Sequence, residues 1–245
     1  MSTLLITGAS SSIAQGLAAE ASRRGWSSVR VCRDASRLDP ALGPVFQADV
    51  STEAGASAAL GFAQEVFGAP PSAVANCAGN TLIAPISRTS EAQYRGVLSA
   101  NLDTAFFVSR AYASAAAAAK QGGSLLLFSS VVARVGVANH VAIAAAKGAV
   151  EAMTRSLAAD VSGIGLRVNC IAPGLTRSAM TERLLANEAS QRMASAQYPL
   201  GRHGEVADAV ALAAFLLSDE SAWITGQVIG LDGGFTAVRP YLKAS

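Results

Sequence analysis

The chain is expected to fold as an α/β protein: a doubly wound parallel sheet of about seven strands with helices on both faces. Three observations carry this expectation. Short apolar runs alternate with longer stretches of helical periodicity along all 245 residues. The apolar runs are continuous, not polar/apolar alternating, which is the pattern of strands covered on both faces. The composition is 51% hydrophobic and 15% charged, which suits a sheet with no solvated side.

Strands are expected at Thr3–Thr7, Ser28–Cys32, Val45–Asp49, Ala73–Cys77, Ser124–Ser129, Leu166–Ile171 and Gln227–Leu231. Helical patterns lie between them at Ile13–Arg24, Thr52–Phe67, Glu91–Asn101, Leu102–Lys120, Ala142–Val161 and Glu205–Leu217. Such alternation gives right-handed crossovers. The run Ala115–Ala119 is low in complexity, but alanine is the best helix former and suits close helix packing. No linker, repeat or charge block divides the chain, so residues 1–245 are read as one domain. The stretch Ser178–Pro199 stands outside the alternation. It reads as a helical excursion between the last two strands, on the side where doubly wound sheets bind ligands. A lid over a substrate and a surface insertion both fit it. Leu184, Leu185, Met193 and Tyr198 would give such a lid an apolar lining.

A formal net charge of +2 points to neither nucleic acid nor an anionic membrane. Cys32, Cys77 and Cys170 are odd in number and far apart; they read as free thiols, with no metal-site spacing. The opening residues lack the basic segment of a signal peptide. The greasiest stretch, Val206–Leu217, is too short to span a bilayer and contains Asp208. A cytoplasmic protein is expected.

After the first strand comes Thr7-Gly8-Ala9-Ser10-Ser11-Ser12-Ile13-Ala14, then a helix. A small-residue turn before a helix N-terminus suits a pyrophosphate, because free N–H groups and the helix dipole favour negative charge there. Past the second strand sit Arg33 and Asp34. A basic residue here pairs with the 2′-phosphate of NADP(H), and an acidic one binds the 2′-hydroxyl of NAD(H). Arg33 favours NADP(H), and Asp34 keeps NAD(H) possible.

Further motifs follow in order: Asp49-Val50, Asn76-Cys77-Ala78-Gly79, Asn101-Leu102, Ser129-Ser130, Arg167-Val168-Asn169 with Pro173-Gly174, Thr225-Gly226-Gln227 and Asp232-Gly233-Gly234. Nearly end to end, these resemble the short-chain dehydrogenase/reductase family, and within it the bacterial beta-ketoacyl-carrier-protein reductases. Departures are Ser12 and Ala14 in place of the turn's later glycines, Cys77 in place of an asparagine, and Ser178 in place of a threonine. The resemblance implies a Rossmann-like domain. It also implies a nicotinamide dinucleotide held by Gly8, Ser10, Ser11, Ser12, Ile13, Arg33, Asp49, Val50, Asn76, Ala78, Gly79, Lys147, Pro173, Gly174 and Thr176. The implied substrate is a small molecule or an acyl thioester. The implied assembly is a homodimer or homotetramer through Leu102–Lys120 and Ala142–Val161. Arg134 and Arg167 could meet an acidic carrier protein or be ordinary surface charges.

In the family, a serine holds the substrate oxygen, a tyrosine transfers the proton, a lysine lowers the tyrosine pKa and binds ribose, and an asparagine anchors a water. Ser130, Lys147 and Asn101 match three of these, but Ile143 stands where the tyrosine belongs. An aliphatic side chain transfers no proton. His140, seven positions before Lys147, matches the Y-x₆-K spacing of enoyl-carrier-protein reductases, and an imidazole can act as an acid. Two classes of function follow. One is a reductase that takes its proton from His140, from water or through Lys147. The other is a noncatalytic subunit that pairs with an active paralogue.

Overall fold

The computed structural model describes residues 2–239. Seven strands form one sheet: β1 (Thr3–Thr7), β2 (Ser27–Cys32), β3 (Val45–Gln47), β4 (Ala73–Asn76), β5 (Gly123–Phe128), β6 (Leu166–Pro173) and β7 (Val228–Leu231). All neighbours run parallel, in the order β3-β2-β1-β4-β5-β6-β7. The chain winds outward from β1 through β2 to β3, then crosses to β4 on the other side of β1. The order therefore reverses between β1 and β4.

The helices are α1 (Ser12–Arg23), α2 (Glu53–Phe67), α3 (Glu91–Leu98), α4 (Thr104–Ala119), α5 (Val141–Val161), α6 (Glu188–Ser195) and α7 (Val206–Leu217). Successive strand residues point to opposite faces, and both faces are apolar. Leu5, Val29, Val74, Leu125, Leu127 and Val168 pack under α2, α4 and α5. Leu4, Ile6, Ala75, Leu126 and Ile171 pack under α1 and α7. Burying each such Leu, Ile or Val contributes about 1.5–3 kcal/mol. Ser11 and Thr52 cap α1 and α2 by accepting the N–H groups of Ala14 and Gly55.

The two helices expected to meet at Asn101 are one continuous run. Between α3 and α4 the residues Ser99–Asp103 wind as a single π turn, in which Thr104 N–H reaches back five residues to the Ser99 carbonyl. A π turn carries an extra residue and commonly marks a functional position. Asn101, inside it, is buried at 1% exposure. Its Nδ2 donates to the Val97 carbonyl at 2.9 Å, taking the acceptor that an α-helical N–H would have used.

A buried polar network fastens α5 to the sheet. The Ser129 hydroxyl donates to Glu151 Oε1 at 3.0 Å. Arg134 Nε donates to the same oxygen at 3.1 Å, and Arg134 Nη2 to the Val228 carbonyl at 2.6 Å. Arg167 is likewise drawn inward. It donates to the carbonyls of Leu216, Ser218 and Ile224 and to the Ser221 hydroxyl, closing the C-terminal end of α7. Both arginines are thus engaged within the chain, which leaves the carrier-contact reading of them without structural support. No helix among the described residues is long and apolar enough to cross a membrane.

Replacing Glu151 by alanine should leave the Ser129 hydroxyl only the Lys147 carbonyl at 3.2 Å and take the carboxylate partner from the half-buried Arg134 guanidinium. A loss of about 1–2 kcal/mol is expected. Thermal unfolding should fall by roughly 2–8 °C for a chain of this size; an unchanged midpoint would show that the network contributes nothing.

Candidate active site

The carboxyl ends of β1 and β4 open onto a cleft of about 910 Å³. In a doubly wound sheet this reversal point is where ligands bind. Gly8, which follows β1, has φ +66°, and a Cβ on it would lie 2.3 Å from the Ala78 nitrogen. Only glycine permits this approach. The turn then delivers Ser10, Ser11, Ser12 and Ile13 to the cleft wall at the N-terminus of α1. That cradle fits a pyrophosphate. Ser12 adds a contact that a glycine could not make: its hydroxyl accepts the Ala179 N–H at 3.3 Å.

Asp49, Val50, Ala78, Gly79, Lys147, Pro173, Gly174 and Thr176 also border the cleft. Asn76 is set back from the cleft lining. It is buried at 3% exposure and accepts the Thr7 hydroxyl at 2.6 Å, bracing β1 against β4. A buried amide needs such a partner.

Arg33 lines the cleft, whereas Asp34 turns away from it. The Asp34 carboxylate accepts the Ser36 N–H at 3.1 Å and the Ser36 hydroxyl at 2.6 Å, capping a short helical turn at Ala35–Arg37. The Ser36 hydroxyl holds its pKa below the usual aspartate value. Arg37, at the end of that turn, also borders the cleft. Four residues beyond Arg33 in sequence, it carries no motif that marks it. Asp49 is the acidic residue on the wall, and its carboxylate accepts both the hydroxyl and the N–H of Ser51. The Ser51 hydroxyl is the main cause of its lowered pKa, and Arg33 adds to it.

At the far end, Ser130 follows β5 and Lys147 lies two turns into α5. Ser130 Oγ accepts the Val132 N–H at 3.4 Å. Lys147 Nζ donates to the Phe128 carbonyl at 2.8 Å. Burial pulls the Lys147 pKa down to about 8. The nearby thiols Cys77 and Cys170 are pushed up to about 12 by burial. They are therefore neutral near pH 7 and give the ammonium no counter-charge. Asn101 Nδ2 also donates to Asn80 Oδ1 at 2.9 Å, and Asn80 is a cleft residue that the sequence reading did not single out. Asn101 Oδ1 is buried without a partner. It faces Gly79, whose absent Cβ would lie 2.8 Å from it and 3.5 Å from Lys147 Nζ.

Ile143 and Lys147 share one face of α5, four residues apart, His140 is the residue before its first turn, and all three border the cleft. Ile143 is 3% exposed and packs with Val97, Ala142 and Ala146. His140 Nδ1 lies 2.7 Å from the Ala138 carbonyl. A carbonyl only accepts, so Nδ1 carries the hydrogen and Nε2 is the position that takes or gives a proton.

The 178–199 excursion holds a short turn at Glu182–Leu185 and then α6. Leu184 and Tyr198 face the cleft, Leu185 is buried, and Met193 points outward at 73% exposure. The Tyr198 hydroxyl accepts the Leu175 N–H at 2.6 Å. The excursion's two ends are clasped by a parallel bridge between Thr176 and Gly204. Beside the clasp, His203 lies 3.0 Å from Arg177 Nη2 and 3.1 Å from the Ser195 hydroxyl of α6.

The buried ammonium has a measurable consequence. Below about pH 8 the folded and unfolded chains both carry the Lys147 proton, so its burial penalty is constant. Between about 8 and the usual 10.5, folding expels that proton and stability rises with pH. Relative to Lys147→Met, the native protein should therefore gain on the order of 2–3 kcal/mol across this window. Urea unfolding at pH 7, 8, 9 and 10 measures it; a flat difference would mean that Nζ is solvated.

A family model described as enoyl-(acyl carrier protein) reductase matches residues 8–236. The chain is 33% identical to 2-(S)-hydroxypropyl-CoM dehydrogenase 3 of Xanthobacter autotrophicus, covering 96% of each protein. It is 36% identical to inactive 2-(S)-hydroxypropyl-CoM dehydrogenase 2 of the same organism, covering 78% of this chain and 84% of that one. A short-chain type dehydrogenase/reductase from Mycobacterium ulcerans superposes with a TM-score of 0.88 at 28% identity, covering 97% of this chain and 90% of that one. With its parallel sheet, its glycine turn at the reversal point and these matches, the chain belongs to the short-chain dehydrogenase/reductase family of oxidoreductases.

Proposed function

We propose that the protein is an NADP(H)-dependent reductase of an acyl thioester that draws its proton from Lys147 through water, not from residue 143. One observation carries the reading. Ser130, Lys147, Asn101 and His140 all border the cleft that the strand-end turns open onto, and the aliphatic Ile143 borders it with them. A nicotinamide dinucleotide bound along the cleft supplies the hydride. The N–H groups of Ser12 and Ile13 receive its pyrophosphate, and Arg33 and Arg37 receive its 2′-phosphate. Ser130 donates a hydrogen bond to the substrate carbonyl. Lys147 holds a proton at Nζ with a pKa of about 8, close to the value at which an acid works best near neutral pH. The unpartnered Asn101 Oδ1 anchors the water between them. Ile83, Val132, Ile143, Leu184 and Tyr198 give the cleft an apolar wall, and the matched family model is described by a carrier-bound acyl substrate. The 178–199 excursion acts as the lid over that substrate.

Ile143 together with the relative named as inactive supports a second reading, a noncatalytic subunit that pairs with an active paralogue. Calorimetric titration with NADPH and NADH separates the two. Binding of neither nucleotide would leave only the second reading. With binding established, acetoacetyl and crotonyl thioesters test the chemistry. Ile143→Tyr should raise acetoacetyl reduction by about 10²–10⁴-fold, the usual contribution of a general acid. His140→Ala should leave the native rate within about twofold; a loss on the order of 10²-fold would move the proton source to His140. Turnover of crotonyl alone would assign the site to C=C reduction.

A further inference from the structure

The loop that carries Arg37 is gripped from below by one face of β2. Ser28, Arg30 and Cys32 alternate along the strand and so point the same way. By register they share the face of Leu4 and Ile6, but at this edge the loop at 33–44 lies over them. All three donate to loop carbonyls. The Ser28 hydroxyl donates to Leu42 at 3.1 Å, and the Cys32 thiol to Asp34 at 3.2 Å. Between them, the single nitrogen Nη2 of Arg30 donates to Asp39 and to Gly43, both at 2.7 Å.

Asp39 and Gly43 flank the second short turn of the loop, Pro40–Leu42. One amino group therefore ties both ends of that turn to the sheet. Gly43 seats the loop closely: its φ is +112°, and a Cβ there would lie 2.6 Å from the Ser28 carbonyl. Leu38, the residue after Arg37, is buried against Ala9 and Cys32. Arg37 is thus held between a buried side chain on its C-terminal side and the Asp34 cap on its N-terminal side.

Arg30 is 2% exposed. A guanidinium stays charged even there, and burying it is costly. An apolar residue at this strand position would avoid that cost. We infer that Arg30 is a positioning residue for nucleotide discrimination: by fixing the 39–43 turn it holds Arg37 at the place where a 2′-phosphate is received. The inference rests on the NADP(H) reading above. Arg30 itself touches no nucleotide; it acts through Arg37.

The test measures equilibrium binding of NADPH and NADH to the native protein, Arg30→Met, Arg30→Lys, Arg37→Ala and the Arg30→Met/Arg37→Ala double variant. Arg30→Met should weaken NADPH about tenfold, the effect of misplacing one charge-assisted contact, and leave NADH within about twofold. Arg30→Lys, which can still donate to both carbonyls, should retain most of the preference. In the Arg37→Ala background, Arg30→Met should add almost nothing, because coupled positions are not additive. Should Arg30→Met fail to fold, Gly43→Ala displaces the same turn by steric contact with Ser28 and carries the same expectations. Equal weakening of both nucleotides, an unchanged preference, or full additivity with Arg37→Ala would overturn the inference alone. A native protein that binds NADPH no tighter than NADH would overturn the NADP(H) reading and the inference together.

Discussion

The closeness of Gly8 to Ala78 governs the carboxyl edge of the sheet. With no room for a Cβ between them, the turns after β1 and β4 press against each other, and the Thr7–Asn76 hydrogen bond at 2.6 Å fixes the strand ends just below. That contact sets where α1 begins, and so where its unpaired N–H groups point. It also sets where Gly79 passes Asn101 and Lys147. A side chain at position 8 would part the two strands at the point where both halves of the cleft meet.

The fold was legible because its strands are covered on both faces. Their apolar runs are continuous, and the structure moves their ends by a residue or two. The helices were legible from their period, but the join at Asn101 was not. A π turn leaves no compositional mark, and its cause here is a side-chain amide taking a backbone acceptor. The close backbone approaches around the cleft were legible where a motif calls for glycine, as at Gly8 and Gly79. The site was not legible where a polar residue also serves packing: the sequence around Asn76 does not show that it braces β1 against β4. Arg37 escaped notice because its place on the wall depends on a loop folded over β2, and no periodicity announces such a loop. Asp34 was ambiguous for the same reason, since only the fold shows that its carboxylate is occupied by Ser36.

Ile143 is well satisfied as a hydrophobic residue. It closes a small apolar cluster with Val97, Ala142 and Ala146. The surrounding polar groups behave differently. Lys147 keeps a buried ammonium that donates to the Phe128 backbone carbonyl, and Asn101 Oδ1 is buried with no partner among the described residues. The cleft therefore holds costly buried polar groups beside an aliphatic side chain.

The clasp between Thr176 and Gly204 closes the segment above the cleft into a loop with adjacent ends. Chain added or removed inside that loop leaves the strands on either side where they are. Loop closure costs only about 0.6 kcal/mol for each doubling of length. The scaffold can thus accept insertions over its binding site without repacking its sheet. Diversification of what such a protein recognises can proceed by changing the length of one segment, while the machinery beneath stays in register.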